Sequence, residues 1–466
     1  MISIIKKILN IKEVEKDVDG KTDRVVHAKQ KALELSINEG SATQASAVVG
    51  SSYLTPFALA LKASPFQIGI LSSVSGLVQP LSQLYGSKMM LFHSRKKLVL
   101  KFALLQAITW LPIAALAILF WKGFFQDYLI YALIVLYSIM MIFMGISHPP
   151  WFSWMGDLVP EKDRGRYFSI RNRATELVGM SVAMMAAFLL DAFKTKGLLL
   201  IGFAVLFASA FTFRMASIVM LKKQYSPEFK MKKSSYFSFW NFLKTFDNYG
   251  KYSVYQAAFY FALMIASPFF AVYMLEELDF SYVTYTTILL SSGIFYLIFL
   301  PLAGKFSDKY GNLKLLYIAN FLFVLSPLLW LFLKTPMQLI FLPQLVSGMA
   351  NAALVIATTN FTFDAVSQQR RGICVSYTSL LAGIGTFFGS LLGGYLLNNL
   401  SLVWISSFFF VFILASFLRF VVAIAFLPKL KEERTKVRKL PPMHISIMHP
   451  FKTLHAEIGW FKNVFK

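Results

Sequence analysis

Apolar residues run in long blocks along the chain, and charges gather in the short gaps between them. A helix that crosses the hydrocarbon of a bilayer needs roughly 20 mostly apolar residues. Windows of that length bounded by charge, Pro or Gly predict twelve spans, at 40–61, 67–90, 98–121, 128–150, 167–191, 197–220, 252–274, 282–303, 313–333, 338–360, 373–396 and 402–427. The expected fold is therefore an all-α integral membrane protein. A Lys-rich stretch at 222–251 separates six spans from six, so the chain divides into an N-terminal arm (1–39), a six-helix bundle (40–221), a linker (222–251), a second six-helix bundle (252–427) and a basic tail (428–466).

Composition agrees with this. The chain is 57% hydrophobic and only 15% charged, far from the quarter charged that a soluble domain of 466 residues carries. Residues 1–35 are charged and mixed, so no removable signal peptide is expected and the first span serves as its own insertion signal. The single cysteine, Cys374, excludes a disulfide framework. Orientation follows from the basic residues, which collect in short cytoplasmic loops. With both termini inside, 39 of the 46 Lys and Arg fall on the cytoplasmic side. Only Lys62, Lys122, Lys194, Lys196 and Lys334 fall outside, and Arg214 and Arg419 lie within spans. The same distribution explains the net charge of +23 as attraction to an anionic inner leaflet rather than to nucleic acid. The expected location is the cytoplasmic membrane.

Four spacings make the halves copies of each other. Gln44 and Gln256 each precede a Pro-Phe pair by twelve residues, at Pro56 and Pro268. "MGDLVPEKDRGRYFSIRNR" (155–173) sets Asp157 seven residues before Arg164 and eight before Gly165, and "FDAVSQQRRGICVSYTS" (363–379) repeats the interval with Asp364, Arg371 and Gly372. Arg214 and Arg419 sit near the inner end of the last span of each half, and Gly86 and Gly304 at the inner end of the second. Two similar bundles leave a cleft at mid-membrane that opens to either side as they rock.

Two loops then carry a family resemblance. "GKFSDKYGNLK" (304–314) has Gly304, Asp308, Lys309 and Gly311 at the spacing of the loop motif of the major facilitator superfamily. Its first-half counterpart "GSKMMLFHSRKK" (86–97) keeps Gly86, Arg95 and Lys96 but has Met90 in place of the acid and His93 in place of the second glycine. From Gln44 to Leu427 the chain resembles that superfamily of secondary transporters. The resemblance implies that Asp157 with Arg164 and Gly165, and Asp308, Lys309, Asp364, Arg371 and Gly372, form a latch that closes the cytoplasmic side in one conformation. It also implies that the first and seventh spans line the cleft with Gln44, Tyr53, Gln256 and Tyr260, joined by Trp151 and Asn360 from the fourth and tenth. That lining is aromatic and weakly polar, and suits sugar rings and hydrophobic compounds alike.

Charges inside the apolar spans are costly and mark function or structure. Glu176 is the leading candidate for a proton-coupling group, with an internal ion pair to Arg171 or Arg173 as its alternative, and His148 follows, beside Pro149 and Pro150, which are expected to break the helix. Glu39 and Asp191 fall near span ends and are expected to be solvated; Arg214 and Arg419 are read as scaffold charges. No phosphate-binding loop exists, since the only "GKT", at Gly20, has Glu15 where the first glycine must stand. No zinc motif or other catalytic cluster appears, so neither cofactor nor enzymatic activity is expected. The function implied is secondary or facilitative transport of a small organic solute, with a coupling proton, by a monomer; the alternatives are a sensor built on a transporter scaffold or a multi-span membrane enzyme.

Overall fold

The computed structural model describes residues 20–159, 164–227, 239–244, 247–366, 368–400 and 404–434, and every regular element among them is a helix. The chain separates into two units. The first holds α1 (Gly20–Val49), α2 (Leu54–Ala60), α3 (Pro65–Met89), α4 (Arg95–Trp121), α5 (Gln126–Leu158), α6 (Arg164–Thr195) and α7 (Leu199–Lys223). The second holds α8 (Phe239–Lys244), α9 (Asn248–Met264), α10 (Phe269–Val272), most of α11 (Tyr282–Tyr310), α12 (Asn312–Leu329), α13 (Pro336–Phe341), α14 (Pro343–Ala365), α15 (Gln368–Asn399) and α16 (Ser407–Phe426).

Ten helices among the described residues are long and apolar enough to cross a membrane. The two predicted spans that fall short are the first and second. α1 carries Glu34, Glu39 and several Ser and Thr, and α3 is rich in Ser, Gly and Gln. α1 also begins at Gly20, twenty residues before the predicted start of its span, because the Ala, Lys, Glu and Leu of that stretch favour helix. Both halves interrupt their first pass near its proline. Between α1 and α2 a 3-10 turn spans Ser51–Tyr53, and between α9 and α10 the helix yields at Pro268 and continues into a wide π turn at Tyr273–Glu277. Pro149 and Pro150, expected to break their helix, do not: α5 runs unbroken through both. Membrane helices tolerate proline where neighbours support the freed carbonyls, and the Ile146 carbonyl, one of the two that lose a donor, packs directly on Gly86 of α3.

Within each unit the packing partners repeat. The first helix of the half packs on the fifth and sixth, as α1 on α6 and α7 and as α9 on α15 and α16. The third packs on the fourth and sixth, as α4 on α5 and α7 and as α12 on α14 and α16. The buried aromatics differ: Phe57, Phe203, Phe207 and Trp110 stack in the first unit, whereas Phe270, Tyr273, Trp330 and Phe412 do so in the second. In hydrocarbon no hydrophobic effect drives helices together, so close backbone approach matters more. α15 supplies it through Gly385, Gly389 and Gly393, one turn apart, which face the Ala257, Phe261 and Ile265 carbonyls of α9 with no room for a Cβ.

The first unit also takes Leu275–Thr286, which begin inside the π turn and run into α11. Asp191 of α6 holds this segment: its two carboxylate oxygens accept the Tyr282 and Val283 N–H groups at 2.8 and 2.9 Å. A carboxylate there meets the orphan donors and the positive end of the helix dipole. Asp191 is therefore engaged with the backbone, not left to solvent as its place near a span end suggested. The Tyr53 hydroxyl donates to the Ala183 carbonyl at 2.9 Å and lies 3.1 Å from the Thr286 hydroxyl, and Phe203 meets Tyr282 edge-on.

Adding one methyl to Gly389 should therefore destabilise the protein by about 1–3 kcal/mol through overpacking. Gly304→Ala should be neutral, because the space around a Cβ there is open. Denaturation of the two variants in the same detergent checks this; equal stabilities would refute the close-approach account.

Candidate functional site

α1 presents Ser36, Glu39, Thr43 and Ser46 to α6 and α7 in a run of small and polar residues that leaves space for long side chains from those helices. Glu39 is 2% exposed, contrary to its expected solvation, because the helix continues well past the predicted span end and α6 and α7 cover it. Its Oε1 accepts from the Thr43 hydroxyl at 2.8 Å and the Ser217 hydroxyl at 3.0 Å, and lies 4.0 Å from Arg214 Nη1. Arg214 itself donates to Gln106 Oε1 at 3.0 Å, Thr43 at 2.8 Å and Ser217 at 3.1 Å. Glu39 Oε2 is held differently. Its nearest cation is Arg171 Nη2 at 3.5 Å, and it accepts no hydrogen bond. Arg171 in turn donates from Nε to the Ser36 carbonyl at 3.3 Å and lies over the Trp151 ring, 4.9 Å from its centre. Gly40 is required here, since a Cβ would collide with the Arg171 guanidinium.

The second unit has no equivalent acid. The offset from Gln44 to Gln256 puts Lys251 where Glu39 stands. Arg419, 2% exposed, donates to the Phe323 carbonyl at 2.7 Å and the Leu263 carbonyl at 3.0 Å; among the described residues it has no acidic partner, and its Nε is unbonded. α9 carries a ladder of Tyr249, Tyr252, Tyr255 and Phe259. Gln256 donates to the Tyr252 hydroxyl at 2.6 Å, and Asn320 to the Tyr255 hydroxyl at 2.7 Å.

At the charged end of the first unit, Asp157 is bonded to Arg95 Nη1 at 2.6 Å, and the same nitrogen reaches Ser153. The pairing joins two of the sequence motifs, but not the two residues expected to pair: Arg95 belongs to the first-half loop, whereas the side chains of Arg164 and Gly165 lie outside the described residues. In the second unit Asp364 accepts from Asn312 Nδ2 at 2.7 Å, and Ser307 links Asn312 at 2.5 Å to Asn360 at 3.0 Å. Arg371 and Gly372 also lie outside the described side chains. Asp308 pairs with Arg434, just past α16, at 3.0 Å. That segment is seated further by Glu432, which accepts the Leu313 N–H at 2.8 Å, and by Arg434, which donates to the Ser307 carbonyl at 2.9 Å. Lys309 lies over the Tyr310 ring. Gly311 has φ +97°, a conformation closed to most side chains, as it turns the chain into α12; Gly304, by contrast, has open space beside it.

Glu176 is exposed on α6, and the ion pair of its neighbour Arg171 goes to Glu39. His148 is exposed between the Trp151 and Phe152 rings. Gln44 packs on Gly179, Tyr53 and Gln256 are buried, and Tyr260 is half-buried against Phe259. Glu39, Gln106 and Arg434 were missed from the sequence. The i to i+4 spacing of Glu39 and Thr43 was the available signal for the first; nothing local marks the other two.

Residues 39–245 and 253–461 each match the family model described as Major Facilitator Superfamily, one match per half. The chain belongs to the Major Facilitator Superfamily. It is a multi-pass membrane protein of a family of transporters rather than enzymes. Among curated relatives, it is 31% identical over 106 residues to the "Vacuolar basic amino acid transporter 2" of Saccharomyces cerevisiae, covering 23% of this chain and 22% of that protein. It is 23% identical over 121 residues to the "Multidrug export protein EmrB" of Haemophilus influenzae, covering 26% and 23%. The chain thus spans about a fifth of the length of these relatives. Among solved structures it shares its fold with a D-xylose-proton symporter, at TM-score 0.65 and 15% identity over 88% of this chain and 99% of that one. The nucleoside transporter NupG matches at TM-score 0.62 and 16% identity, over 87% and 100%.

Removing one partner of a buried ion pair strands the other charge, at roughly 3–5 kcal/mol. Arg214→Leu is expected to destabilise by that much and Arg419→Leu by less, because no carboxylate is left behind. Adding Glu39→Gln to Arg214→Leu should recover part of the loss, which denaturation of the single and double variants measures; strict additivity would refute the coupling.

Proposed function

We propose that this superfamily member is a secondary transporter of a small, weakly polar organic solute, working in the cytoplasmic membrane as a single chain with both termini inside. The observation that carries this reading is the duplicated unit: both halves match the superfamily, and each repeats the same helix partners around a buried arginine of its last helix. The excess of basic residues on one side supports the orientation. The half-buried Gln44, Trp151 and Tyr260 support a weakly polar, aromatic lining. The printed names of the relatives span a basic amino acid, drugs, a nucleoside and a sugar with a proton, which supports organic solutes as a class and a proton as the coupling ion.

In this reading the two charge clusters at the basic end form the cytoplasmic latch. Asp157 with Arg95 serves the first unit, and Asp308 with Arg434, together with Asp364, serves the second.

The test is uptake of a panel of radiolabelled neutral, cationic and anionic solutes into proteoliposomes, with and without an inward proton gradient. Gradient-dependent accumulation of at least one solute is expected, and none in any condition would refute transport. Asp308→Asn and Arg434→Gln should weaken the latch alike and raise crosslinking of cytoplasm-facing cysteine probes to the same degree; no change in either variant would refute the latch.

A further inference from the structure

Between Gly40 and Gln126 the chain carries no Asp or Glu, yet five basic residues fall from Lys88 to Lys101, around the turn that joins α3 to α4. Helix geometry divides them. Arg95 and Lys96 turn inward: Arg95 binds Asp157 and the Pro227 carbonyl, and Lys96 donates to the Gln224 carbonyl at 2.7 Å. Lys88, Lys97 and Lys101 are exposed, and among the described residues no carboxylate lies within ion-pair distance of them. Lys97 and Lys101 stand about one turn apart on the face of α4 that continues with the exposed Leu104 and Ile108. Two ammoniums at i and i+4 on one helix face repel each other. At the tip of the turn Phe92 is 77% exposed beside the exposed Leu91, so an apolar wedge adjoins the charge. The second unit is built differently. Asn312 opens α12 and bonds Asp364 as Arg95 opens α4 and bonds Asp157. That register puts Ile318 where Lys101 stands, and Asp308 occupies the loop position at which the first half has Met90.

We propose that this face of α4 is a binding site for an anionic phospholipid, whose phosphate is held between Lys97 and Lys101 and whose acyl chain lies along Leu104 and Ile108. α4 is long and apolar enough to cross a membrane, so its first turns stand at headgroup depth. The two lysines are separated by about 6 Å along the helix axis, a distance that their four-carbon stems span, so both ammoniums reach one phosphate group. Lys101 lays its stem against Phe102, with Nζ 5.8 Å from the centre of that ring, which keeps its charged end at the surface. A phosphate between the two lysines replaces their repulsion with two charge-assisted bonds. Charge complementarity selects the occupant. A zwitterionic headgroup brings a cation of its own to a patch that has no acid to receive it, whereas a headgroup of net negative charge brings none, and Lys88 at the end of α3 adds to its attraction. Free phosphate satisfies the lysines but leaves the apolar stripe and Phe92 uncovered. The site is independent of the solute carried and of the side of the membrane on which the turn lies.

Native mass spectrometry of the full-length protein counts the lipids each molecule keeps after release from micelles holding equal amounts of phosphatidylglycerol and phosphatidylcholine with the same acyl chains. Wild type should retain phosphatidylglycerol several-fold more than phosphatidylcholine. The double variant Lys97→Gln with Lys101→Gln should bring that ratio close to parity, whereas Lys97→Arg with Lys101→Arg, which keeps the charge, should preserve it. Lys222→Gln with Lys223→Gln removes the same charge from the exposed last turn of α7 and should leave the ratio as in wild type. Equal retention of the two lipids by wild type would overturn the site without recourse to any variant, so the test survives a double variant that does not fold. An unchanged preference in the Lys97 and Lys101 glutamine variant would overturn it too, and an equal loss in the α7 variant would reduce it to diffuse surface charge. Displacement of phosphatidylglycerol from wild type by inorganic phosphate would make this a site for a soluble anion and overturn the lipid assignment.

Discussion

Hydrocarbon solvates neither charge nor backbone, and that single constraint explains where almost every polar group of this chain is found. Among the described residues most buried polar side chains reach a partner inside their own unit, the Ser390 hydroxyl and the Trp110 indole N–H being exceptions. Arg214 takes Gln106, Thr43, Ser217 and Glu39; Arg419, lacking an acid, takes two helix carbonyls. Backbone groups obey the same rule at the interrupted passes. The first-turn N–H groups of α11 go to Asp191, and the backbone turned by Gly311 passes its next donor, the Leu313 N–H, to Glu432. A charge that is not matched in this way has to be at a helix end or change its protonation.

The same constraint shapes packing. Helices in lipid gain little from apolar contact with one another, so association depends on close fit and on polar links. α15 lies against α9 along three glycines, while the equivalent pair in the first unit, α6 and α1, is joined by polar links: Arg171 to Glu39 and Ser36, and Tyr167 to the Leu33 carbonyl. The α9–α15 pair adds to its close fit the bonds of Thr378 to Ser253 and Tyr249, so both pairs have polar links and the first adds an ion pair, while both keep the same order of partners.

Much of this was legible in the sequence, for identifiable reasons. Long apolar blocks, the linker and the twofold repeat survive in any reading, because lipid enforces hydrophobicity over whole helices. Arg214 and Arg419 stood out as rare charges in apolar runs, and both are buried and hydrogen-bonded to other helices. Glu39 was illegible because hydropathy ends a span where charge begins, whereas the helix runs on from Gly20 and is covered by α6 and α7. Asp308 with Arg434 was illegible because the partners are far apart in the chain and the motif suggested a nearer one. The glycine stripe of α15 was written plainly at four-residue intervals; only its partner, α9, required the structure. Pro149 and Pro150 misled because proline disrupts an isolated helix, whereas here neighbouring helices support the carbonyls it frees.

A duplicated fold does not oblige its halves to do the same work. Both units keep an arginine near the end of the last helix, so the position is structural in each. Glu39 faces it in the first, whereas Lys251 stands at the corresponding position of the second and Arg419 rests on carbonyls. Conversely, among the described residues the tyrosine ladder and the glycine stripe belong to the second, where they pack in its interior. The buried charges of the first unit thus lie in α1, α6 and α7, and the closest backbone approach of the second lies between α9 and α15. A transporter that must bind a solute and a driving ion can evolve both from one repeat when each copy is freed from one of the two tasks.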